Sequence, residues 1–182
     1  MNSYFIALES KLPSEICDEL VETITNNNTH QAKTIGNNKD YRKTNILGVP
    51  YGSRDHHIYD NLLKPYVNSA NRECFGFSLN GVSEFQLAQY KTGHYYKEHM
   101  DCFLANIKSQ RKLSITVQLS DASEYEGGEF MFTKDINTPD QKLLKEKGRI
   151  IVFPSFIYHE VKPITQGIRH SLVGWYEGNH WI

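Results

Sequence analysis

Apolar residues recur at helical spacing in the first eighty positions, whereas from Val82 onward they alternate with polar ones. The first helical pattern opens at Leu12-Pro13-Ser14-Glu15, and Ile16, Leu20, Val21 and Ile24 form a one-sided stripe that ends in Asn26-Asn27-Asn28. A second pattern predicts a helix from about Asp55 to Glu73, buried along Ile58, Leu62, Tyr66, Val67 and Ala70, with Pro65 placed to interrupt it. Between the two, Gly36-Asn37-Asn38-Lys39-Asp40 through Val49-Pro50-Tyr51-Gly52 is rich in breakers and tyrosine. It reads either as a lid or as a plain surface loop.

The second part predicts strands. Phe85 to Tyr90 is one, broken by Thr92-Gly93, and Tyr95 to Asp101 is the next. Leu113, Ile115, Val117 and Leu119 alternate with Ser114, Thr116 and Gln118, giving one apolar and one polar face. Gly127-Gly128 introduces Glu129 to Phe132, and Lys147-Gly148 turns into Arg149 to Pro154, apolar enough to be central. Phe156 to Val161 and Arg169 to Tyr176 complete the set. These short strands separated by turns predict a mainly β fold, a jelly roll, preceded by buttressing helices. A row of polar interior side chains suits a barrel that holds a polar ligand.

Length and composition narrow the class. The 182 residues, 39% hydrophobic and 23% charged, suit one domain, with a helical part over 1–80 and a jelly-roll core over 82–178. A formal net charge of −1 gives no reason to expect nucleic acid or an anionic membrane as partner. No stretch approaches the roughly 20 apolar residues a membrane helix needs, and the N-terminus lacks a signal-peptide pattern. Cys17, Cys74 and Cys102 are scattered and odd in number, which favours reduced thiols and a cytoplasmic setting. Oligomeric state leaves no mark on the sequence.

Candidate chemistry centres on His99-Met100-Asp101, on His159, and on Arg169 ten positions further. Two apart on an extended strand, His99 and Asp101 project from one face while Met100 points away. Alone, that pair is as readily an exposed ion pair, and a lone His159 is as readily a core histidine. Together they offer two imidazoles and one carboxylate, the set that binds non-haem Fe(II) and leaves three coordination positions open. Arg169 adds a planar cation able to hold a carboxylate bidentately. The remaining histidines invite plainer readings. His56-His57 are helix neighbours that do not face each other, and His170 falls on the outer face of its strand. His30, His94 and His180 sit in loops or a tail, solvated. Trp175 either lines the pocket or packs in the core, and Tyr96 and Met100 either touch substrate or pack.

From Phe85 to Trp181 the chain resembles the 2-oxoglutarate- and Fe(II)-dependent dioxygenases, in their prolyl 4-hydroxylase-like branch. Five segments carry the likeness in family order: Gln89 to Asp101, Leu113 to Asp121, Tyr125 to Phe130, Val152 to Ser155 with His159, and Arg169-His170-Ser171. The resemblance implies a double-stranded β-helix with Fe(II) on His99, Asp101 and His159. It also implies 2-oxoglutarate bound through its far carboxylate to Arg169, with Ser171 and Tyr90 beside it. Relatives of the animal collagen type place lysine at the Arg169 position, so this chain resembles bacterial, phage-borne and oxygen-sensing members more. Gln118 stands where several relatives carry an aromatic residue, which leaves either Thr116 or Gln118 to supply one carboxylate hydrogen bond.

The implied reaction uses O2, with ascorbate as reductant, and hydroxylates a substrate while 2-oxoglutarate becomes succinate and CO2. A prolyl residue in a peptide or protein is the implied substrate. A free amino acid or other small metabolite is the alternative, and a non-enzymatic metal-binding protein of cupin type is a third reading.

Overall fold

The computed structural model describes residues 6–32, 40–102, 110–134 and 136–179, the first five by backbone alone. Twelve strands and three α-helices are found among them. In order these are β1 (Ile6–Lys11), α1 (Ser14–Asn26), β2 (His30–Gln31), β3 (Arg42–Lys43), β4 (Asn45–Val49) and α2 (Arg54–Ala70). Then follow β5 (Gly81–Lys91), β6 (Tyr95–His99), β7 (Gln110–Gln118), β8 (Tyr125–Gly127), β9 (Phe130–Phe132) and α3 (Gln141–Leu144). The last three are β10 (Arg149–Pro154), β11 (His159–Val161) and β12 (Ile164–Gly178).

Pairing is antiparallel throughout, in two sheets. The larger runs β1-β10-β7-β12-β5-β4-β2, with β8 also on β12, and the smaller runs β3-β6-β11-β9. Period-two alternation gives the larger sheet two distinct faces. Leu113, Ile115 and Val117 of β7 with Leu119 just beyond it, Ile150 and Val152 of β10, and Leu172 of β12 pack under Cys17, Leu20 and Ile24 of α1 and Leu63, Val67 and Ala70 of α2. From the opposite face, Ala88, Tyr90, Ile151 and Phe153 meet Phe130, Phe132 and Val161 of the smaller sheet. The jelly-roll expectation holds, and α1 and α2 buttress the larger sheet.

Close packing at the centre of the larger sheet is testable at Gly174, which pairs with Phe85 on one side and Ile115 on the other. A Cβ there would lie 2.5 Å from two Phe85 ring carbons. Gly174→Ala should destabilise the fold by about 1–3 kcal/mol, read as a lowered melting temperature; an unchanged one would mean the ring moves freely.

Three expectations need correction. The first eighty residues hold four strands as well as two helices. These are short strands, two of only two residues, and they exist by pairing with β10, β5 and β6, so no local periodicity announces them. For the same reason residues 42–49 are sheet and not a loop or lid; positions 36–39 of that stretch lie outside the described residues. The buried line of α2 is His56, Tyr59, Leu63, Val67 and Ala70, while Ile58 is 47% exposed. Apolar residues occupy two overlapping faces of this helix, and the rings of His56 and Tyr59, 5.5 and 6.0 Å from that of Phe85, select one. Pro65 is exposed within an unbroken helix, where the carbonyl it cannot satisfy faces water.

Candidate active site

β6 and β11 are neighbours in the smaller sheet, and their register sets His99 opposite His159. Asp101 follows the end of β6, where its backbone N–H and that of Cys102 both donate to the carbonyl of Ser155, at 2.8 and 3.1 Å. That doubled contact fastens the turn after β6 to the turn after β10. The outcome is one compact group: a ligand atom from each of His99, Asp101 and His159 lies within 4.8 Å of the others, and all three side chains are buried.

Hydrogen bonds then settle which atoms are free. Nδ1 of His99 lies 2.8 Å from the carbonyl of Lys97, and Nδ1 of His159 lies 2.9 Å from that of Ile157. A carbonyl only accepts, so each Nδ1 carries a hydrogen, which leaves Nε2 as the atom of each ring that can ligate a metal. Those Nε2 atoms are 3.5 and 3.6 Å from the Asp101 carboxylate. Burial would raise the Asp101 pKa, but the imidazoles of His159 and His99 and the Ser114 hydroxyl outweigh it and hold the carboxyl well below its ordinary range. For His159, burial dominates and pushes the imidazole down to about 4, so it is neutral at pH 7. Two imidazole nitrogens beside one carboxylate match a divalent first-row metal with nitrogen and oxygen preferences.

Ser114 was not singled out from the sequence, although it belongs to the polar row of β7. Its hydroxyl donates to Asp101 Oδ2 at 2.7 Å and lies 3.0 Å from the hydroxyl of Ser155. Ser114→Ala should weaken Fe(II) binding by roughly 10–100-fold, the usual effect of losing a partner that orients a metal ligand. Metal titration against a folded control checks this, and unaltered affinity would show the hydroxyl to be idle.

The triad lines a cavity between the two sheets. Tyr90, Thr116, Arg169 and Ser171 line its larger-sheet side. Arg169 is 5% exposed, its guanidinium is 5.6 Å from the centre of the Tyr90 ring, and no ion pair to it is found among the described residues. Gln118 is placed differently: its amide donates to the Ser120 carbonyl and the Tyr125 hydroxyl, at 2.9 and 3.1 Å, and it is not part of the cavity wall. Trp175 and Tyr96 line the cavity and Met100 does not. Tyr96 lies against His99 with ring centres 3.4 Å apart. Arg42, which carries no signal in the sequence, completes that wall.

A family model described as the 2OG-Fe(II) oxygenase superfamily matches residues 85–177, just over half of the chain and the stretch that carries all three of these ligands. The chain belongs to the 2OG-Fe(II) oxygenase superfamily. Among its relatives is a PKHD-type hydroxylase of Idiomarina loihiensis, 34% identical over 94 residues that cover 52% of this chain and 42% of that protein. Another, from Prochlorococcus marinus, is 28% identical over 147 residues, covering 79% and 60%. The chain thus spans about half the length of the curated relatives it matches.

Among solved structures, a Pseudomonas putida prolyl-4-hydroxylase superposes with a TM-score of 0.73 at 21% identity, covering 97% of this chain and 93% of that one. A Trichoplax adhaerens prolyl hydroxylase, in complex with a hypoxia inducible factor peptide fragment, gives 0.73 at 18% identity, covering 94% and 82%. At such identities the superpositions establish the double-stranded β-helix fold.

Within this oxygenase fold the remaining histidines divide. His30 is exposed. His56 is buried with both ring nitrogens unpartnered, and His94 is half-buried rather than solvated, because its Nδ1 is covered. His180 lies outside the described residues. His170 faces away from Arg169 as expected, yet that face is covered too. Its ring nitrogens are 3.3 Å from the Ser120 hydroxyl and 3.2 Å from the Gln89 amide nitrogen. Burial pushes its pKa down to about 4.

The unfolded chain, with an ordinary histidine pKa of about 6.5, therefore binds a proton that the folded chain refuses between those values. The His170 contribution is complete above pH 6.5 and is lost progressively as pH falls to about 4, amounting to about 3 kcal/mol. Denaturation at pH 7 and pH 4.5 should show a smaller acid loss in His170→Gln than in the wild type. Equal losses would place the sensitivity elsewhere.

Proposed function

We propose that this protein is an Fe(II)- and 2-oxoglutarate-dependent dioxygenase that hydroxylates a prolyl residue in a peptide or protein, releasing succinate and CO2. One observation carries the reading: a buried triad able to hold a metal and a buried guanidinium without a carboxylate partner among the described residues share one cavity. A metal site alone would leave that cation without a task, and desolvating it unpaired is costly. A dicarboxylate that also chelates metal gives both features a purpose. Prolyl specificity draws on the likeness to prolyl hydroxylases; a small-metabolite substrate uses the same site.

His99, Asp101 and His159 would hold Fe(II). Iron, when bound, would supply the activation of O2, whose four electrons come in pairs from the oxidative decarboxylation of 2-oxoglutarate and from the substrate C–H bond, and ascorbate would keep the metal ferrous. The protein's own contribution is placement. Arg169 would take the far carboxylate of 2-oxoglutarate, with the Ser171 hydroxyl, two residues along the same face, and Thr116 donating from the side. Tyr90, against Arg169, fixes the guanidinium plane. Phe130, Phe153 and Val161 give the cavity apolar walls that keep water from the reacting centre.

The test is aerobic incubation with Fe(II), ascorbate and 2-oxoglutarate against proline-rich peptides and free amino acids. Succinate should form, and mass spectrometry should find one added oxygen atom on a prolyl peptide. Oxygen on a free amino acid only would move the substrate to the small-molecule class, and no succinate under any condition would sink the enzyme reading.

A further inference from the structure

Arg42 is the second cation of the cavity, on the wall opposite Arg169 and beside the metal triad. Strand β3 pairs it with Tyr96, and its guanidinium carbon lies 4.5 Å from the centre of that ring. It is 7% exposed, and among the described residues it has no carboxylate partner. Among the same residues its guanidinium makes one hydrogen bond, from Nη2 to Gln86 Oε1 at 3.4 Å, and its buried Nε has no partner. The Gln86 amide is itself committed, because Nε2 donates to Glu84 at 2.7 Å. Glu84 in turn accepts from Arg111 at 3.1 Å. Glu84, the acid that Gln86 contacts, is thus already engaged by another cation, and Gln86 aims one amino group of Arg42 without compensating its charge.

Charge balance points the same way. The ionised groups of the wall are Arg42, Arg169 and Asp101. Two guanidiniums and a divalent metal against one carboxylate leave three positive charges. 2-Oxoglutarate, a dianion, removes two of them. A low-dielectric cavity favours a ligand that removes the third.

We propose that Arg42 is the receptor for a carboxylate on the primary substrate, held against Tyr96 on the metal side of the cavity. This deepens the dioxygenase reading and rests on it: the hydroxylated compound is an acid, through its own α-carboxylate or through an acidic residue beside the target in a peptide. The guanidinium offers the fork geometry a carboxylate matches, and Tyr96 holds its plane by cation–π contact. A neutral substrate would leave the charge buried and unanswered.

Binding can be measured without turnover, on protein loaded with zinc in place of iron and with 2-oxoglutarate present so that Arg169 is taken. The probes are two pairs: L-proline with L-prolinamide, and an end-blocked peptide having glutamate beside proline with its glutamine counterpart. The acid of one pair should bind at least roughly tenfold more tightly than its amide, the difference one charge-assisted hydrogen bond supplies. The pair that discriminates identifies the source of the carboxylate. Arg42→Gln should bring that ratio close to one, and Arg42→Lys should keep part of it.

General damage to the site would weaken acid and amide alike and leave the ratio unchanged. Discrimination absent from both pairs, or persisting in Arg42→Gln, overturns the proposal. If acid binding depends on Arg42 but the iron-loaded protein releases no succinate in air, the dioxygenase reading fails and the carboxylate receptor stands.

Discussion

Asp101→Ala should remove Fe(II)-dependent succinate formation, with activity falling by more than roughly 100-fold, the upper end of what losing a mere supporting partner costs. Asp101 is the triad's only anion. Without it, two neutral imidazoles face a divalent ion in a buried site, and nothing offsets the ion's lost hydration. His99→Ala should act similarly by removing a donor whose lone pair the Lys97 carbonyl has oriented. Asp101→Glu separates charge from position. It keeps the anion but adds a methylene within a turn fastened to Ser155, so most turnover should still be lost. Succinate yield, bound iron and melting temperature, measured together, check all three variants. Near-wild-type turnover by folded Asp101→Ala would remove the carboxylate from the metal site.

Arg169→Ala should chiefly raise the KM for 2-oxoglutarate, leaving iron binding close to normal. A charge-assisted hydrogen bond contributes roughly 1.5–3 kcal/mol, so the rise should be on the order of 10- to 100-fold. Arg169→Lys keeps a charge but loses the fork, and its KM should fall between those of the wild type and the alanine variant. The distinction from the triad lies in the pattern: iron content falls in the Asp101 variant and holds in the Arg169 variant. If Arg169→Ala loses iron and its 2-oxoglutarate KM does not move, the co-substrate anchor is another residue, and Arg42 is the remaining cation of the cavity.

Strong, repeated local patterns were legible in the sequence. Helix α1 and, apart from β8, the strands from β5 to β12 appear where apolar patterning put them, because each buries a face that its own spacing defines. Where the pattern was ambiguous it failed. Helix α2 carries apolar residues on two adjoining faces, and only the Phe85 ring chose between them. Strands β1 to β4 were missed since their pairing partners lie elsewhere in the chain. Within the cavity, residues spaced by two were readable as neighbours: His99 with Asp101, Arg169 with Ser171. Arg42 and Ser114 were not, because each matters through contacts with Tyr96, Gln86 and Asp101 on other strands. His170 was placed on the correct face, yet that face proved buried, since Gln89 and Ser120 cover it.

By itself the sequence determined residue chemistry and local direction: which side chains can bind a metal or a carboxylate, and which of them share a strand face. Both follow from side-chain identity and the two-residue repeat of a strand. Only the tertiary structure decided proximity, protonation and vacancy. The β6–β11 register set His99 opposite His159, backbone carbonyls placed a hydrogen on each Nδ1, and burial left Arg169 and Arg42 without an acid partner among the described residues. Those outcomes depend on distances between segments far apart in the chain and on the water excluded between them, neither of which a local pattern encodes.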